Sequence, residues 1–246
     1  MPNLVIDIGN TQTKLAVFND QEMVWFGHQE ITDAEAINNI IAKHGIEKVI
    51  ASSVKKDQDW QQQLSKQSKL YLFNYQMAKS VHNHYRTPQT LGLDRLAAVA
   101  GAADMYPGTA SLVIDAGTCI TYDYIDAGKN YAGGSISPGL NMRYEAMHNY
   151  TDGLPLVSKD ETFNRNFGDD TTSAMVSGTQ NGIKYEVEGF IDSYQKQQPN
   201  LNIILTGGDG VFLDTLLKNS IFAPYIKIEP YLVLRGLNAV IKEHND

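Results

Sequence analysis

One short pattern occurs twice in this chain and constrains its fold more than any other feature. The pattern, D-x-G-x-x-x-T, begins at Asp7 and again at Asp115, and each copy directly follows a short apolar run, residues 4–6 and 112–114. A strand that ends in Asp, turns through Gly and hydroxyl residues and re-enters a strand forms a hairpin whose backbone amides can face a phosphate. The Asp at the strand end is placed to act on a hydrated divalent metal ion. The repeat therefore predicts a duplicated fold that closes over a nucleotide from both sides.

The order of predicted elements indicates two domains built in the same way. In the first half, three strands precede a helix that follows the capping signature Thr32-Asp33, and helices and strands then alternate. The second half restarts this order and adds a polar insertion over residues 150–170 before a long amphipathic helix. Strands are predicted over residues 4–8, 14–18, 23–28, 49–51, 70–73, 111–115, 120–125, 131–136, 202–205 and 226–228, and helices near residues 34, 59, 94, 138, 172, 211 and 232. Two such units in tandem predict an α/β fold with mixed sheets flanked by helices, divided into domains 1–108 and 109–246.

Composition and charge exclude several classes of protein. The net charge is −8, from 20 Lys and Arg against 28 Asp and Glu, which argues against a nucleic-acid partner. No apolar stretch approaches the length that spans a bilayer, and the N-terminus leads straight into a strand, so we expect no membrane partner and no signal peptide. The single cysteine, Cys119, cannot form an internal disulfide and suits the reducing cytoplasm. We therefore expect a cytoplasmic protein.

Phosphate binding in this chain must come from the two hairpins. The sequence has no G-x-x-x-x-G-K-[ST] loop. In the first hairpin, Gly9, Asn10 and Thr11 supply a turn that tolerates unusual backbone angles and donates hydrogen bonds to oxyanions. Lys14 adds a cation. An isolated copy of such a turn is usually a plain β-turn, but the second copy favours nucleotide binding.

Two further positions have an ordinary structural interpretation. Asp94 lies in the segment Gly92-Leu93-Asp94-Arg95 at a predicted helix start, where an Asp is most often a cap and an Arg most often a surface charge. Thr171 follows Asp170 at the start of the long helix and also indicates a cap. The residues alone leave open whether either position has a catalytic or binding role.

Five motifs, in order along the chain, resemble those of the type III pantothenate kinases. They are Asp7-Ile-Gly-Asn-Thr11, Gly92-Leu-Asp-Arg95, Asp115-Ala-Gly-Thr118, Gly133-Gly-Ser-Ile-Ser-Pro-Gly139 and Thr206-Gly-Gly-Asp209. That family belongs to the superfamily of acetate and sugar kinases, actin and heat-shock chaperones. The resemblance implies two tandem ribonuclease H-like (actin-like ATPase) domains with a nucleotide cleft between them. It also implies ATP-dependent phosphorylation of pantothenate to 4'-phosphopantothenate, the first step of coenzyme A biosynthesis.

The resemblance also assigns residues to roles. Asp94 matches the catalytic base, Asp115 matches the site of a monovalent cation (potassium or ammonium), and Thr171 matches a residue that reaches the substrate of the neighbouring subunit in a homodimer. Asp7 is the expected partner of magnesium, through water, because magnesium keeps several of its waters. The residues implied to bind ATP are Asp7, Ile8, Gly9, Asn10, Thr11, Gln12, Thr13, Lys14 and Thr118. Those implied to bind pantothenate are Tyr85, Gly92, Leu93, Asp94, Arg95 and Thr171.

Two other functions remain as alternatives. Some relatives of this family were first described as accessory factors for transcriptional regulation, but the acidic composition argues against direct DNA contact. An actin- or chaperone-like ATPase would share the hairpins, but such proteins are usually longer and lack the Gly-x-Asp-Arg element. The full set Asp7, Asp94, Arg95 and Asp115 argues against an inactive remnant of a kinase.

Overall fold

The computed structural model describes residues 2–9, 12–29, 33–53 and 68–244. In chain order the strands are β1 (Pro2–Ile8), β2 (Thr13–Asn19), β3 (Glu22–Gln29), β4 (Lys48–Ser53), β5 (Lys69–Leu72), β6 (His82–Asn83), β7 (Ser111–Ala116), β8 (Cys119–Ile125), β9 (Asn130–Pro138), β10 (Asn202–Thr206) and β11 (Ile226–Ile228). The helices are α1 (Ala34–His44), α2 (Leu93–Met105), α3 (Leu140–Asn149), α4 (Thr171–Gln197), α5 (Gly210–Leu217) and α6 (Leu232–Lys242). The helix predicted near residue 59 and the predicted capping residue Thr32 lie outside the described residues.

Contacts divide the chain into two compact units. The first consists of Met1–Pro107, Lys129–Ala132 and Tyr231–Asp246, and the second of Gly108–Gly128 and Gly133–Pro230. Both units are discontinuous in sequence, because α6 and residues 129–132 group with the first unit, and residues 129–132 interrupt the second. The domain limits 1–108 and 109–246, which were drawn from the sequence repeat, stay a prediction.

The first unit is built around a five-stranded mixed sheet of order β3-β2-β1-β4-β5. Pairs β1–β2 and β2–β3 are antiparallel, whereas β1–β4 and β4–β5 are parallel. One face of the sheet packs against α1, whose N-cap Asp33 accepts a hydrogen bond from the backbone N–H of Glu35 at 3.0 Å. Leu4, Ile6 and Ile37 are fully buried in this core, and each such side chain stabilises the fold by about 1.5–3 kcal/mol.

Helices α2 and α6 also belong to the first unit and approach each other closely. Small residues make this approach possible, since a β-carbon at Gly236 would collide with the carbonyl oxygen of Ala97. Residues Leu96–Ala103 of α2 are all buried. The strand β6 pairs in parallel with Asn130 and Tyr131, the part of β9 that belongs to the same unit. The body of α2 is therefore buried, and its N-terminal end is anchored by this packing.

The second mixed sheet has the strand order β11-β10-β7-β8-β9-β6, and all of it except β6 and residues 130–132 of β9 belongs to the second unit. Strand β7 pairs antiparallel with β8 and parallel with β10, which repeats the arrangement of β1 with β2 and β4. The core packs α3, α4 and α5 onto this sheet through Leu112, Tyr144 and Ile183 among others. The predicted α/β fold with two mixed sheets flanked by helices is confirmed. None of the helices in the described part of the chain combines the length and apolarity needed to cross a membrane.

Candidate active site

The first hairpin places a carboxylate and an ammonium group side by side. Asp7, the last residue but one of β1, is in register with Lys14 on β2 and with Ser52 on β4. The turn between the strands is closed by the backbone N–H of Gly9, which donates to the carbonyl of Gln12 at 3.1 Å. The predicted phosphate contacts Asn10 and Thr11 lie outside the described residues. Register partners in a sheet share a face, so this end of β1 presents opposite charges on one face.

The environment of Asp7 perturbs its protonation. Burial raises the pKa of Asp7 to about 6; the positive charge of Lys14 opposes this shift, and the negative charge of Asp94 adds to it. The two predicted functional carboxylates, Asp7 and Asp94, therefore lie within range of each other's charge in the first unit. Two close carboxylates disfavour simultaneous ionisation unless a cation is shared between them.

The first turn of α2 holds the predicted catalytic base. Gly92 is the N-cap, Leu93 begins the helix and Asp94 follows, partly exposed. A carboxylate oxygen of Asp94 accepts a hydrogen bond from the backbone N–H of Arg95 at 2.8 Å. The positive end of the helix dipole stabilises a negative charge at this position. Asp94 is thus held in one orientation by its own helix.

Arg95 and Tyr85, both predicted to bind substrate, lie against each other. The Arg95 side chain is 6% exposed, and its guanidinium carbon lies 5.8 Å from the centre of the Tyr85 ring. The Tyr85 ring is stacked parallel to that of Tyr131, with centroids 6.5 Å apart and an interplanar angle of 7°. The structure therefore pairs Asp7 with Lys14, places Asp94 within range of the charge of Asp7, and brings Tyr85 together with Arg95.

The second hairpin differs from the first by one residue in its turn. Asp115 on β7 is in register with Thr121 on β8 and with Thr206 on β10. The backbone N–H of Gly117 donates to the carbonyl of Cys119, two residues later, at 3.0 Å. In the first hairpin the corresponding hydrogen bond joins Gly9 to Gln12, three residues later, so the second turn is one residue shorter. The shift places an uncharged Thr opposite Asp115, where the first hairpin has a Lys. The two hairpins therefore repeat in sequence and topology but not in electrostatics.

The turn from residue 206 to 209 packs directly against the end of β7. Gly207 has a φ of +92°, which favours glycine, and a β-carbon there would collide with the Asp115 carboxylate and the Ala116 carbonyl. The backbone N–H of Asp209 donates to the Ala116 carbonyl at 2.9 Å. Burial raises the pKa of Asp209, while the positive charge of Lys159 lowers it. The turn over residues 206–209 therefore packs directly against Asp115.

The predicted contacts Thr118 and Thr171 are both exposed. Thr118 lies in the second hairpin, where its carbonyl accepts from the backbone N–H of Gly139 at 3.1 Å. Thr171 is the first residue of α4, after the N-cap Asp170, whose carboxylate accepts from the backbone N–H of Ser173 at 2.8 Å. Among the described residues, Thr118 and Thr171 form no hydrogen bond or ion pair with each other.

Sequence reasoning missed a carboxylate that supports the second hairpin. Glu186 on α4 accepts hydrogen bonds from the hydroxyl of Tyr122 at 2.8 Å, from Ser137 at 2.5 Å and from Arg143 at 2.6 Å. Burial acts to raise the pKa of Glu186, but the bonds from Ser137 and Arg143 outweigh it and the pKa is lowered. Arg143 also donates to the carbonyl of Pro138 at 2.8 Å. This network fixes the turn that contacts Thr118, and no local sequence signal marks it.

Solved structures show the class to which this fold belongs. The ROK hexokinase from Thermus thermophilus is 15% identical, covers 100% of both chains and gives a TM-score of 0.59. The activator of the 2-hydroxyisocaproyl-CoA dehydratase from Clostridium difficile is 14% identical, covers 99% of this chain and 96% of that one, and gives a TM-score of 0.55. At these identities the likeness concerns the fold alone, which is the two-domain α/β fold of the actin-like ATPases and ROK sugar kinases.

Sequence comparison then gives the family. Residues 3–193 match the family described as type III pantothenate kinase. The type III pantothenate kinase of Flavobacterium johnsoniae is 46% identical over 224 residues, 89% of this chain and 91% of that protein. The corresponding protein of Bacteroides fragilis is 41% identical over 248 residues, covering 99% and 98%. The chain belongs to the type III pantothenate kinase family, which confirms the resemblance that the five motifs indicated.

Proposed function

We propose that this protein phosphorylates pantothenate with ATP to give 4'-phosphopantothenate, the first step of coenzyme A biosynthesis. Family membership supports the reaction class. The observation that carries the proposal for this chain is that Asp94, in the first turn of α2, acts electrostatically on Asp7, the register partner of Lys14 in the first hairpin. Phosphoryl transfer needs alignment of the reactants, neutralisation of charge and a base for the alcohol proton.

Each part of the arrangement then has a role. Asp94 accepts the proton of the substrate hydroxyl. The hydrogen bond that its carboxylate accepts from the backbone N–H of Arg95 fixes the orientation of the carboxylate. Arg95 and Tyr85 bind the anionic substrate, together with Gly92 and Leu93. The residues proposed to bind ATP are Asp7, Ile8, Gly9, Asn10, Thr11, Gln12, Thr13, Lys14 and Thr118.

The first hairpin also fits a hydrated magnesium ion. The described residues form no cluster of three His, Cys, Asp or Glu side chains, so magnesium would retain waters and phosphate oxygens around a contact with Asp7, as this ion usually does. When bound, magnesium would neutralise part of the negative charge on the phosphates of ATP. A carboxylate whose pKa is raised by burial gains most from a nearby cation, which supports Asp7 as its partner.

A coupled assay of ADP release, with and without pantothenate, tests the function. Release that depends on pantothenate, with formation of a phosphorylated product, is the expected result. ADP release of equal rate without pantothenate would favour an actin- or chaperone-like ATPase. No ADP release under either condition would favour a non-catalytic accessory factor.

We propose in addition that Asp115 holds a monovalent cation, potassium or ammonium. In the register of the sheet its two neighbours are Thr121 and Thr206, whose hydroxyl groups are uncharged oxygen ligands. A second carboxylate near bound phosphates would raise the negative charge unless a cation lies between them. The contrast with Asp7, which faces Lys14, supports this assignment.

Activity should therefore fall several-fold when sodium is the only monovalent cation and return with potassium or ammonium. The measurement compares initial rates in the three chloride salts at equal ionic strength. Asp115→Ala should be slow in all three salts and should lose the difference between them. Equal wild-type rates in the three salts would contradict a specific cation site at Asp115.

We also propose that the working unit is a homodimer with a composite active site. Thr171 begins α4, and a β-carbon at Gly178 or Gly182 of the same helix would meet no other atom within 4 Å. These small residues are therefore not used for packing within the described chain and leave this stretch of α4 open to a second helix. In this proposal Thr171 reaches the substrate bound by the neighbouring subunit.

Mixing two inactive variants, Asp94→Asn and Thr171→Arg, should restore activity after subunit exchange. In each heterodimer one site carries both lesions and the other carries neither, so about a quarter of wild-type activity should return if dimers form at random. Each variant alone, taken through the same exchange, is the control. A mixture that stays inactive although heterodimers are detected by native mass spectrometry would show that each chain holds a complete site.

A further inference from the structure

The strand β6 places Asn83 beside the predicted substrate residues. Asn83 is in parallel register with Tyr131, and the backbone N–H of His84 donates to the Tyr131 carbonyl at 2.8 Å. Register partners share one face of a sheet, so Asn83 and Tyr131 lie on the same face. Tyr85 follows shortly after the end of β6, and its ring stacks on that of Tyr131, while Arg95 lies against the Tyr85 ring. Asn83 and Tyr85 are therefore both placed beside Tyr131.

The two ends of the Asn83 side-chain amide have different surroundings. Its oxygen Oδ1 accepts a hydrogen bond from the backbone N–H of Tyr85 at 3.0 Å, which forms a tight local turn. Its nitrogen Nδ2 is shielded from solvent and has no hydrogen-bond partner in the described part of the chain. The reversed amide would set an NH2 group against the Tyr85 N–H, so the bond to Tyr85 fixes the orientation.

A buried donor without a partner is rare in folded proteins and costs free energy. Asn83 could satisfy its backbone contact to Tyr85 equally well as Asp, since the carboxylate also provides an acceptor. The donor Nδ2 is what distinguishes Asn from Asp, and in the described structure this donor contacts no acceptor. This points to an acceptor that comes from outside the chain.

We propose that Asn83 binds the alcohol substrate, with Nδ2 donating a hydrogen bond to a carbonyl or carboxylate oxygen of its acyl chain. The proposal rests on the proposed function, because it takes Tyr85 and Arg95 as the substrate site. A side-chain movement accompanies binding, since Nδ2 is shielded in the free protein; such rearrangements are common when ligands bind. Asn83 thus has two roles, orienting the backbone of Tyr85 through Oδ1 and binding substrate through Nδ2.

The substitution Asn83→Asp tests the second role alone. Asp has the same shape and keeps an oxygen to accept from the Tyr85 N–H, but it replaces the donor by an acceptor that repels an oxygen of the substrate. We expect KM for pantothenate to rise at least tenfold, with KM for ATP within twofold of wild type. Asn74 is a matched control, because its Oδ1 accepts from the N–H of Gln76 at 3.0 Å in the same kind of turn, on an exposed side chain. Asn74→Asp should change neither KM.

Several outcomes separate this proposal from a structural role. An unchanged KM for pantothenate in Asn83→Asp would overturn it. A loss of kcat and of both affinities together with a lower Tm would also overturn it, since that indicates general disruption. If Asn83→Asp does not fold, Asn83→Ser keeps an acceptor for the Tyr85 N–H, but its shorter side chain has no donor at the position of Nδ2, and the same KM criterion applies. A wild type without pantothenate kinase activity would instead refute the proposed function, and this inference with it.

Discussion

Replacing Asp94 by Asn should lower kcat on the order of a hundredfold or more while leaving the affinity for ATP nearly unchanged. The amide keeps an oxygen that can accept from the N–H of Arg95, so the first turn of α2 should retain its geometry. What the variant loses is the ability to accept the alcohol proton. The measurements are kcat from steady-state kinetics and the Kd of a non-hydrolysable ATP analogue from calorimetry.

A matched control for this substitution lies on the same helix. Asp104, in the last turn of α2, is exposed, and Asp104→Asn should leave kcat within twofold of wild type. Far-UV circular dichroism and Tm should be alike for both variants and the wild type. Near wild-type turnover in Asp94→Asn would remove Asp94 from the mechanism, whatever the affinities show.

The elements that the sequence predicted well are those defined by local patterns. The sequence predicts a terminal helix near residue 232, and α6 begins at Leu232. Both hairpins follow the apolar runs that predicted them, and Asp94 lies in the first turn of a helix, as the segment around it indicated. Apolar periodicity and capping residues act over a few positions, which is why they can be read without knowledge of the fold.

The features that the sequence did not reveal depend on long-range register. The second hairpin turn is one residue tighter than the first, so Thr121 lies opposite Asp115, where the register of the first hairpin would place Tyr122. No strand is predicted between residues 73 and 111, yet this part of the chain contains the two-residue strand β6, which pairs with β9. Equally, nothing near Glu186 in sequence predicts its bonds to Tyr122 and Ser137.

Asp7 illustrates how a site that suits a cation can destabilise the empty protein. Its folded-state pKa of about 6 lies above the ordinary value of 3.8, so the folded protein holds this proton more tightly than the unfolded chain. The resulting stabilisation is present at low pH and is lost as the pH rises through about 6. At pH 8, without metal or nucleotide, the ionised and buried carboxylate should cost about 1–3 kcal/mol.

The substitution Asp7→Asn should therefore have opposite effects on stability and on function. In buffer with a chelator, the variant should be more stable than wild type by about 1–3 kcal/mol at pH 8 and by little at pH 4, because the neutral amide does not ionise. With magnesium and with ATP at a thousand times its Kd the order should reverse, since such a ligand stabilises the protein that binds it by about 4.1 kcal/mol. Urea denaturation across this pH range, with and without ligands, measures both effects, and Asp104→Asn should follow the wild type throughout. Parallel pH curves for Asp7→Asn and wild type would mean that Asp7 is ordinarily solvated, and the argument that it is held ready for a cation would fail.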